Sequence, residues 1–342
     1  MKRAGKLWES ILDRDNLRMA FLRAVRGKRD RYEARNFAAH LDLELHALAQ
    51  ALREGTIRVG VFNQFVIYDP KERVITAPCF RERVLHHALI NVCEPVFERW
   101  LIADTFACRR GQGREAALAR ARRFARRFPC FLTLDIRKYF DSVPHDELLA
   151  RLSRLIKDSH TLALFGQIVR AFRGEQRQGL PIGSLTSQHL ANFYLGWFDR
   201  YVKERLKVRG YVRYMDDMAL WGHSTGELAR LAAECRDFLS TELRLDIKPT
   251  VPINRVIHGM DFLGCRIFPT HMTLNRRSRV RFQRRLLVLE QQFREGQITE
   301  RELRDRATAI VAFARAAGVA SWRFRTRVLR SLEARSHQAR TA

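Results

Sequence analysis

Three carboxylates stand where acids could work together. Asp135 ends the run Phe131-Leu-Thr-Leu-Asp-Ile136, in which Leu132, Leu134 and Ile136 fall on one face of a strand and Thr133 and Asp135 on the other. Asp216 and Asp217 lie between two apolar segments, Tyr211-Val-Arg-Tyr-Met215 and Met218-Ala-Leu-Trp221. Adjacent strand residues point to opposite faces, so both acids fit best at a tight turn. A hairpin tip beside a third strand would bring all three together. Such a cluster repels itself until a cation neutralises it, and its hard oxygen donors suit Mg²⁺. Two ions held this way can activate a hydroxyl nucleophile and stabilise a departing pyrophosphate. Taken singly, each piece has a plainer explanation: a strand-end Asp is usually a cap, and Asp-Asp in a hairpin is usually a solvated turn.

The elements that must position these acids follow from hydrophobic spacing. Residues 1 to about 56 read as helices with basic faces. Leu7, Trp8, Ile11 and Leu12 have helical spacing, as do Leu41, Leu45, Leu48 and Leu52, and Gly55 closes the second helix. From Ile57 the pattern changes to short β runs, Val59-Gly-Val61 and Gln64-Phe-Val-Ile-Tyr68. An Asp69-Pro70 turn then leads into Arg73-Val-Ile-Thr76, a hairpin with basic residues at its tip. Arg81 to Trp100 reads as a mostly buried helix in which His86 and His87 pack. Residues 109–128 read as a loop and a very basic helix, and Asp146 to Phe172 as one helical stretch. The loop Gly174 to Gly183 precedes a helix through Arg205. Tyr211 to Trp221 gives two short strands, residues 225–244 an amphipathic helix, and Met260 to Phe268 a further β region with Asp261 at the surface. From Asn275 onward the chain reads as helical and crowded with arginine.

Charge narrows the class. Among 342 residues, 63 Lys and Arg face 37 Asp and Glu, a formal net charge of +26, which points to a polyanionic partner and most simply to nucleic acid. Only nine of the basic residues are lysine. Arginine's planar fork suits phosphate and stacked bases better than a point charge does. The basic helix and the arginines at 276, 277, 279, 281, 284 and 285 read as phosphate-tracking surface in contact with RNA, Arg276 and Arg277 first among them. Met1 to Asp15 has no apolar signal-peptide core. The longest uncharged stretch, Gln178 to Phe198, is too polar for a membrane helix. Six cysteines are scattered without a C-x-x-C pair, which argues against a zinc site or a disulfide framework and for a reducing cytoplasm.

The residues around the acids carry a family resemblance. Tyr214-Met-Asp-Asp217 resembles the Y-x-D-D box of reverse transcriptases, and Leu134-Asp-Ile-Arg-Lys-Tyr-Phe-Asp-Ser142 resembles the family's first carboxylate motif. Gly179-Leu-Pro-Ile-Gly-Ser-Leu-Thr-Ser-Gln188 is similar to its nucleotide-pocket motif, and Met260-Asp-Phe-Leu-Gly264 to its primer grip. Arg81-Glu-Arg-Val-Leu-His86 and Arg109-Arg-Gly-Gln-Gly113 look like its remaining N-terminal motifs. The resemblance runs in order from about residue 57 to 268.

What this implies is an α+β right-hand polymerase with fingers, palm and a short helical thumb, divided as a helical N-terminal segment 1–56, fingers and palm 57–268, and a basic thumb 269–342. The implied reaction is nucleotidyl transfer from a dNTP to a primer 3′-hydroxyl on an RNA template. Asp135 and Asp216 would hold two Mg²⁺, with Asp217 supporting and the Ile136 carbonyl as a further ligand. Lys71 and Arg73 would hold the incoming triphosphate, and Lys248 falls where polymerases often keep a lysine near the leaving pyrophosphate. Phe140 would block a ribose 2′-hydroxyl, Ile182, Gly183 and Gln188 would shape the dNTP pocket, and Tyr214, Met215, Phe262, Leu263 and Gly264 would face primer and template.

The subfamily is legible in the same motif. Pro181-Ile-Gly183 followed by Thr186-Ser-Gln188 resembles the reverse transcriptases of diversity-generating retroelements, as does Phe262-Leu-Gly-Cys-Arg-Ile-Phe-Pro-Thr-His271. Intron and retron enzymes usually carry Pro-Gln-Gly and then Ser-Pro there. The resemblance implies mutagenic copying of a template-repeat RNA, with errors chiefly at template adenines, and a small basic oligomeric accessory variability protein as partner. Two alternatives stay open. One is another prokaryotic reverse transcriptase, of antiphage-defence, retron or group II intron type; the other is an RNA-binding scaffold with a decayed site.

Overall fold

Apolar spacing and end signals set the elements, which the computed structural model describes over residues 2–68, 72–172 and 177–315. Four helices come first: α1 (Trp8–Leu12), α2 (Arg14–Ala24), α3 (Tyr32–Ala39) and α4 (Leu41–Arg53). Asp13 starts α2 by accepting the amides of Asp15 and Asn16, and Gly55 follows α4 at φ +68, a conformation that suits a residue without Cβ. The hairpin of β1 (Phe62–Tyr68) and β2 (Glu72–Pro78) leads to α5 (Phe80–Trp100) and α6 (Arg114–Arg127). After β3 (Cys130–Leu134) come α7 (Tyr139–Ser142), α8 (His145–Leu152), α9 (Ser159–Ala171) and α10 (Leu185–Arg200), which runs into a π-helical turn at Tyr201–Arg205. Then follow β4 (Gly210–Tyr214), β5 (Asp217–Gly222), α11 (Thr225–Leu243) and β6 (Ile253–Arg255). The last described elements are β7 (Met260–Phe262), β8 (Cys265–Ile267), β9 (Met272–Leu274), α12 (Arg276–Arg294) and α13 (Glu300–Arg315).

These elements gather into two compact units, each built from three chain segments. The first takes the chain to Arg110, Ile136–Arg205 and Glu234–Lys248. Its core is α5, buried through Val84, Leu85, Leu89, Cys93 and Phe97, with α2 and α10 packed on it. Aromatic rings lock that packing: Phe37 meets Phe80 edge to face at 5.4 Å, and Trp100 lies 4.6 Å from Trp197. The second unit takes Gly111–Asp135, Leu206–Ala233 and the described chain from Pro249. Its centre is an antiparallel sheet in the order β4-β5-β3-β6, on which α6 lies with the Phe124 ring 5.4 Å from Trp221. A separate meander, β7-β8-β9, precedes the paired helices α12 and α13.

Two expectations need correction. Val59-Gly-Val61 forms no strand, because the amides of Gly60 and Val61 donate to Glu82 Oε2 at 2.8 and 3.2 Å instead of to a neighbouring strand. The stretch from Asp146 to Phe172 is two helices. The break at 153–158 makes room for the N-terminal segment: Ala4 bridges Ile156, and Asp158 caps α9 while its other oxygen accepts the amides of Leu7 and Trp8. The six cysteines are all free thiols, and no described helix is long and apolar enough to cross a membrane.

Candidate active site

The carboxylates are positioned by strand register. β4 and β5 close on the two-residue turn Met215-Asp216, with Tyr214 paired to Asp217 and Met215 at φ +55, the left-handed conformation such tight hairpins demand. The last pair between β3 and β5 is Leu134 with Met218, so one further step along that register sets Asp135 level with Asp217. Asp135 and Asp216 are half-buried and Asp217 exposed, while Leu132, Leu134 and Ile136 are buried as their alternation requires. The turn is braced from behind. Arg213, wholly buried on β4, donates from Nη1 to the Met215 carbonyl at 3.0 Å. A guanidinium taken out of water is tolerable only with such partners.

Among the described residues no three carboxylate, imidazole or thiol groups form a ready-made metal cage. Mg²⁺ in phosphate chemistry binds through one or two carboxylates together with substrate phosphates and water. The donor set at this sheet end, all hard oxygen, fits an ion of that kind. The Ile136 backbone is held by a bridge to Ile247, with the Arg137 amide donating to the Asp246 carbonyl at 2.8 Å, and exposed Lys248 directly follows that bridge.

In the first unit the segment from Gly179 to Gln188 is clamped by backbone bonds. Leu180 N–H donates to the Phe140 carbonyl at 2.7 Å, Gly179 N–H to Val143 at 2.8 Å, and Thr76 N–H of β2 to the Ile182 carbonyl at 2.7 Å. Gly183 sits at φ +119 so close to β2 that a Cβ would stand 2.8 Å from Ile75 Cγ2. Ile182, Gly183 and the Phe140 ring are half-buried, and Gln188 is exposed on the first turn of α10. Arg73 is exposed on β2, whereas Lys71 lies outside the described residues. Two motif arginines serve the fold itself: Arg109 pairs with Glu98 at 2.9 Å and donates to the carbonyls of Ile102 and Thr105, and Arg110 pairs with Glu94 at 2.7 Å.

In the second unit Leu263 (φ +47) and Gly264 (φ +79) make the turn of the β7–β8 hairpin, with Phe262 buried behind it. Arg114 of α6 donates to the Leu263 carbonyl at 2.9 Å, and Asn275 N–H to Gly264 at 3.1 Å. Asn275 then caps α12, whose first turn holds exposed Arg276 and Arg277 and no acid. Cations at a helix N-terminus oppose the dipole, so they cost stability there unless an anion joins them.

Sequence reasoning missed three groups that the structure brings forward. His86, read as packing, and Glu82, given no role of its own, form a buried pair 3.4 Å apart, for which an acid and a histidine four residues apart on an apolar helix was the available signal. Arg213 could have been noticed as a charge inside an apolar strand.

An antiparallel sheet backed by α6, with acids on a hairpin tip and at the end of the adjoining strand, has the α+β arrangement of a right-hand polymerase. Residues 69–267, more than half of the chain, match the family described as Reverse transcriptase (RNA-dependent DNA polymerase), and the chain belongs to that family. It is similar to Protein YkfC of Escherichia coli (strain K12), 26% identical over 295 residues covering 70% of this chain and 74% of that protein. It is also similar to an uncharacterized 91 kDa protein in a cob intron of Schizosaccharomyces pombe, 31% identical over 142 residues, 40% of this chain and 18% of that protein. Nuclear intron maturase 4, mitochondrial, of Arabidopsis thaliana is 28% identical over 162 residues, 45% of this chain and 20% of that protein. The chain thus spans about a fifth of the length of these last two proteins. Among solved structures, apo telomerase from Candida tropicalis aligns with 63% of this chain and 48% of its own, at 8% identity and a TM-score of 0.47.

Proposed function

We propose that this chain is an active RNA-directed DNA polymerase that makes adenine-mutagenic cDNA from a template-repeat RNA in a diversity-generating retroelement. The observation that carries the polymerase reading is the register bringing Asp135 level with Asp217, with Asp216 in the adjoining turn. Two Mg²⁺ on Asp135, Asp216 and the Ile136 carbonyl, with Asp217 supporting, would activate the primer 3′-hydroxyl and stabilise pyrophosphate as it leaves. Residues 57–268 would then serve as fingers and palm, 269–342 as thumb, and 1–56 as a helical N-terminal segment. Lys71, Arg73 and Lys248 would neutralise the triphosphate through charge-assisted bonds, and Phe140 would exclude a 2′-hydroxyl. Tyr214, Met215 and the Phe262–Gly264 turn would seat the primer terminus, while Arg276 and Arg277 would hold backbone phosphates.

The retroelement reading rests on Ile182 and Gln188. A glutamine at position 182 could hydrogen-bond around the nascent pair, and a site that pairs polar groups rejects wrong substrates better than one relying on apolar shape. Ile182 gives that up, so a mismatched pair loses less relative to a correct one. The template RNA, a cDNA primer, dNTPs and an oligomeric basic accessory protein are the partners this reading requires, in a cytoplasmic setting suited to free thiols. A second reading, a group II intron type of enzyme, is favoured by the intron proteins among the relatives. Sequencing cDNA made on a defined RNA template separates the two. Errors concentrated opposite adenine, reduced by Ile182→Gln, support the retroelement reading; faithful copying, unchanged by that substitution, supports the intron type.

A further inference from the structure

The helix α5 carries a polar pair that the chemistry above does not use. Glu82 and His86 are 4% and 1% exposed in the first two turns of α5, and their partners come from two distant parts of the chain. On one side Glu82 Oε2 accepts the amides of Gly60 and Val61, the residues leading into β1. On the other, His86 Nδ1 lies 3.1 Å from Ser184 Oγ, which in turn lies 2.8 Å from Thr186 Oγ1. Between them His86 Nε2 faces Glu82 Oε1 at 3.4 Å.

Ser184 Oγ thus joins Thr186 Oγ1 on one side and His86 Nδ1 on the other, while the second carboxylate oxygen of Glu82 is filled by two amides. Ser184 and Thr186 are as buried as the pair they join. Ser184 is also the N-cap residue of α10, yet its side chain makes no capping bond. A serine at this position ordinarily caps the helix, so a hydroxyl turned inward instead points to another use. The link between Glu82 Oε1 and His86 Nε2 is a 3.4 Å polar contact rather than a hydrogen bond, and with no other partner in reach each of these two buried atoms depends on the other.

We infer that Glu82 and His86 are positioning residues for nucleotide binding: they hold the start of α10, and with it the Pro181–Gln188 segment, in fixed relation to the base of the β1–β2 hairpin. The Thr76 to Ile182 backbone bond and the close seat of Gly183 on Ile75 tie the same two parts together a few residues away. Gln188 stands one helical turn beyond Ser184, so a tilt of that first turn displaces it. Neither Glu82 nor His86 touches nucleotide; both act through Ser184 and the hairpin base. The inference rests on the reading of residues 179–188 as the nucleotide pocket.

Single-nucleotide incorporation by the full chain tests it with Ser184→Ala, which deletes one hydroxyl, and with His86→Gln. Both should raise KM for dNTP by about 5- to 20-fold and leave kcat within about twofold, as expected when substrate positioning alone is lost. The double variant should be no worse than either single one, because both break the same chain. An unchanged KM in Ser184→Ala, or strictly additive effects, overturns the inference. Hydrogen exchange decides the matter without catalysis. In Ser184→Ala, amides at 59–61 and at 181–188 should lose protection together, and a loss confined to 184–188 overturns the coupling. If wild type extends no primer, the polymerase reading fails and the exchange result still stands or falls alone.

Discussion

At the scale of residues, the acids were legible because both their types and their spacing were unusual. Asp135 ended an alternating strand, and Asp216-Asp217 called for a tight turn, which β4 and β5 make at Met215-Asp216 with Asp217 as the first residue of β5. Phe140 belongs to the same level. Its backbone is pinned by Leu180 and its ring is half-buried, so a smaller side chain opens space without disturbing the acids. Phe140→Ala should raise the use of rNTP relative to dNTP by about 10- to 100-fold, the range a steric contact can supply; competition assays read it, and an unchanged ratio removes Phe140 from sugar selection. His87 offers a second prediction. Burial, with Arg83 and Arg23 nearby, lowers its pKa from 6.5 to about 4. The folded imidazole therefore stays neutral while the unfolded one takes a proton, so stability is complete above pH 6.5 and falls as pH drops toward 4. His145 and His189 shift in the same direction through burial. Urea denaturation across that window should be less pH-dependent in His87→Gln; an identical slope would assign the effect to the other histidines. The Glu82–His86 pair stayed hidden because its meaning depends on Ser184, 98 residues from His86, and no local pattern carries that distance.

At the scale of elements, hydrophobic periodicity gave most helices and the β1–β2 and β4–β5 hairpins, and failed where polar side chains overrode it. Gly60 and Val61 have strand-forming neighbours, but a buried carboxylate takes their amides. The break between α8 and α9 is likewise made by Asp158, which serves the N-terminal segment as well as its own helix. Such choices are tertiary, and a single sequence does not contain them. Gly183 is the element-scale position with a definite cost. It combines φ +119 with an approach to β2 that leaves no room for a Cβ. Gly183→Ala should destabilise the chain by about 1–3 kcal/mol through backbone strain and the clash with Ile75. A denaturation midpoint equal to that of wild type would show that the pocket loop moves away freely.

At the scale of the whole molecule, charge is the dominant property. The excess is carried visibly by α6 and α12, where Arg123, Arg126, Arg127, Arg276 and Arg277 are exposed with few acids among them. Affinity for RNA should therefore fall by about 10³- to 10⁵-fold between roughly 50 and 200 mM salt, if about six to ten phosphates are neutralised. A shallow salt dependence would mean that these faces are only solvated. The central claim, that the acids at the end of the palm sheet make this chain a working RNA-directed DNA polymerase, is tested most directly by primer extension on a defined RNA template with Mg²⁺. Wild type should extend the primer, and Asp216→Ala, folded to the same extent, should lose at least about 10³-fold in rate, as expected when transition-state charge is left unsupported. Equal extension by the two proteins, or none by wild type with its RNA and accessory protein supplied, would contradict it.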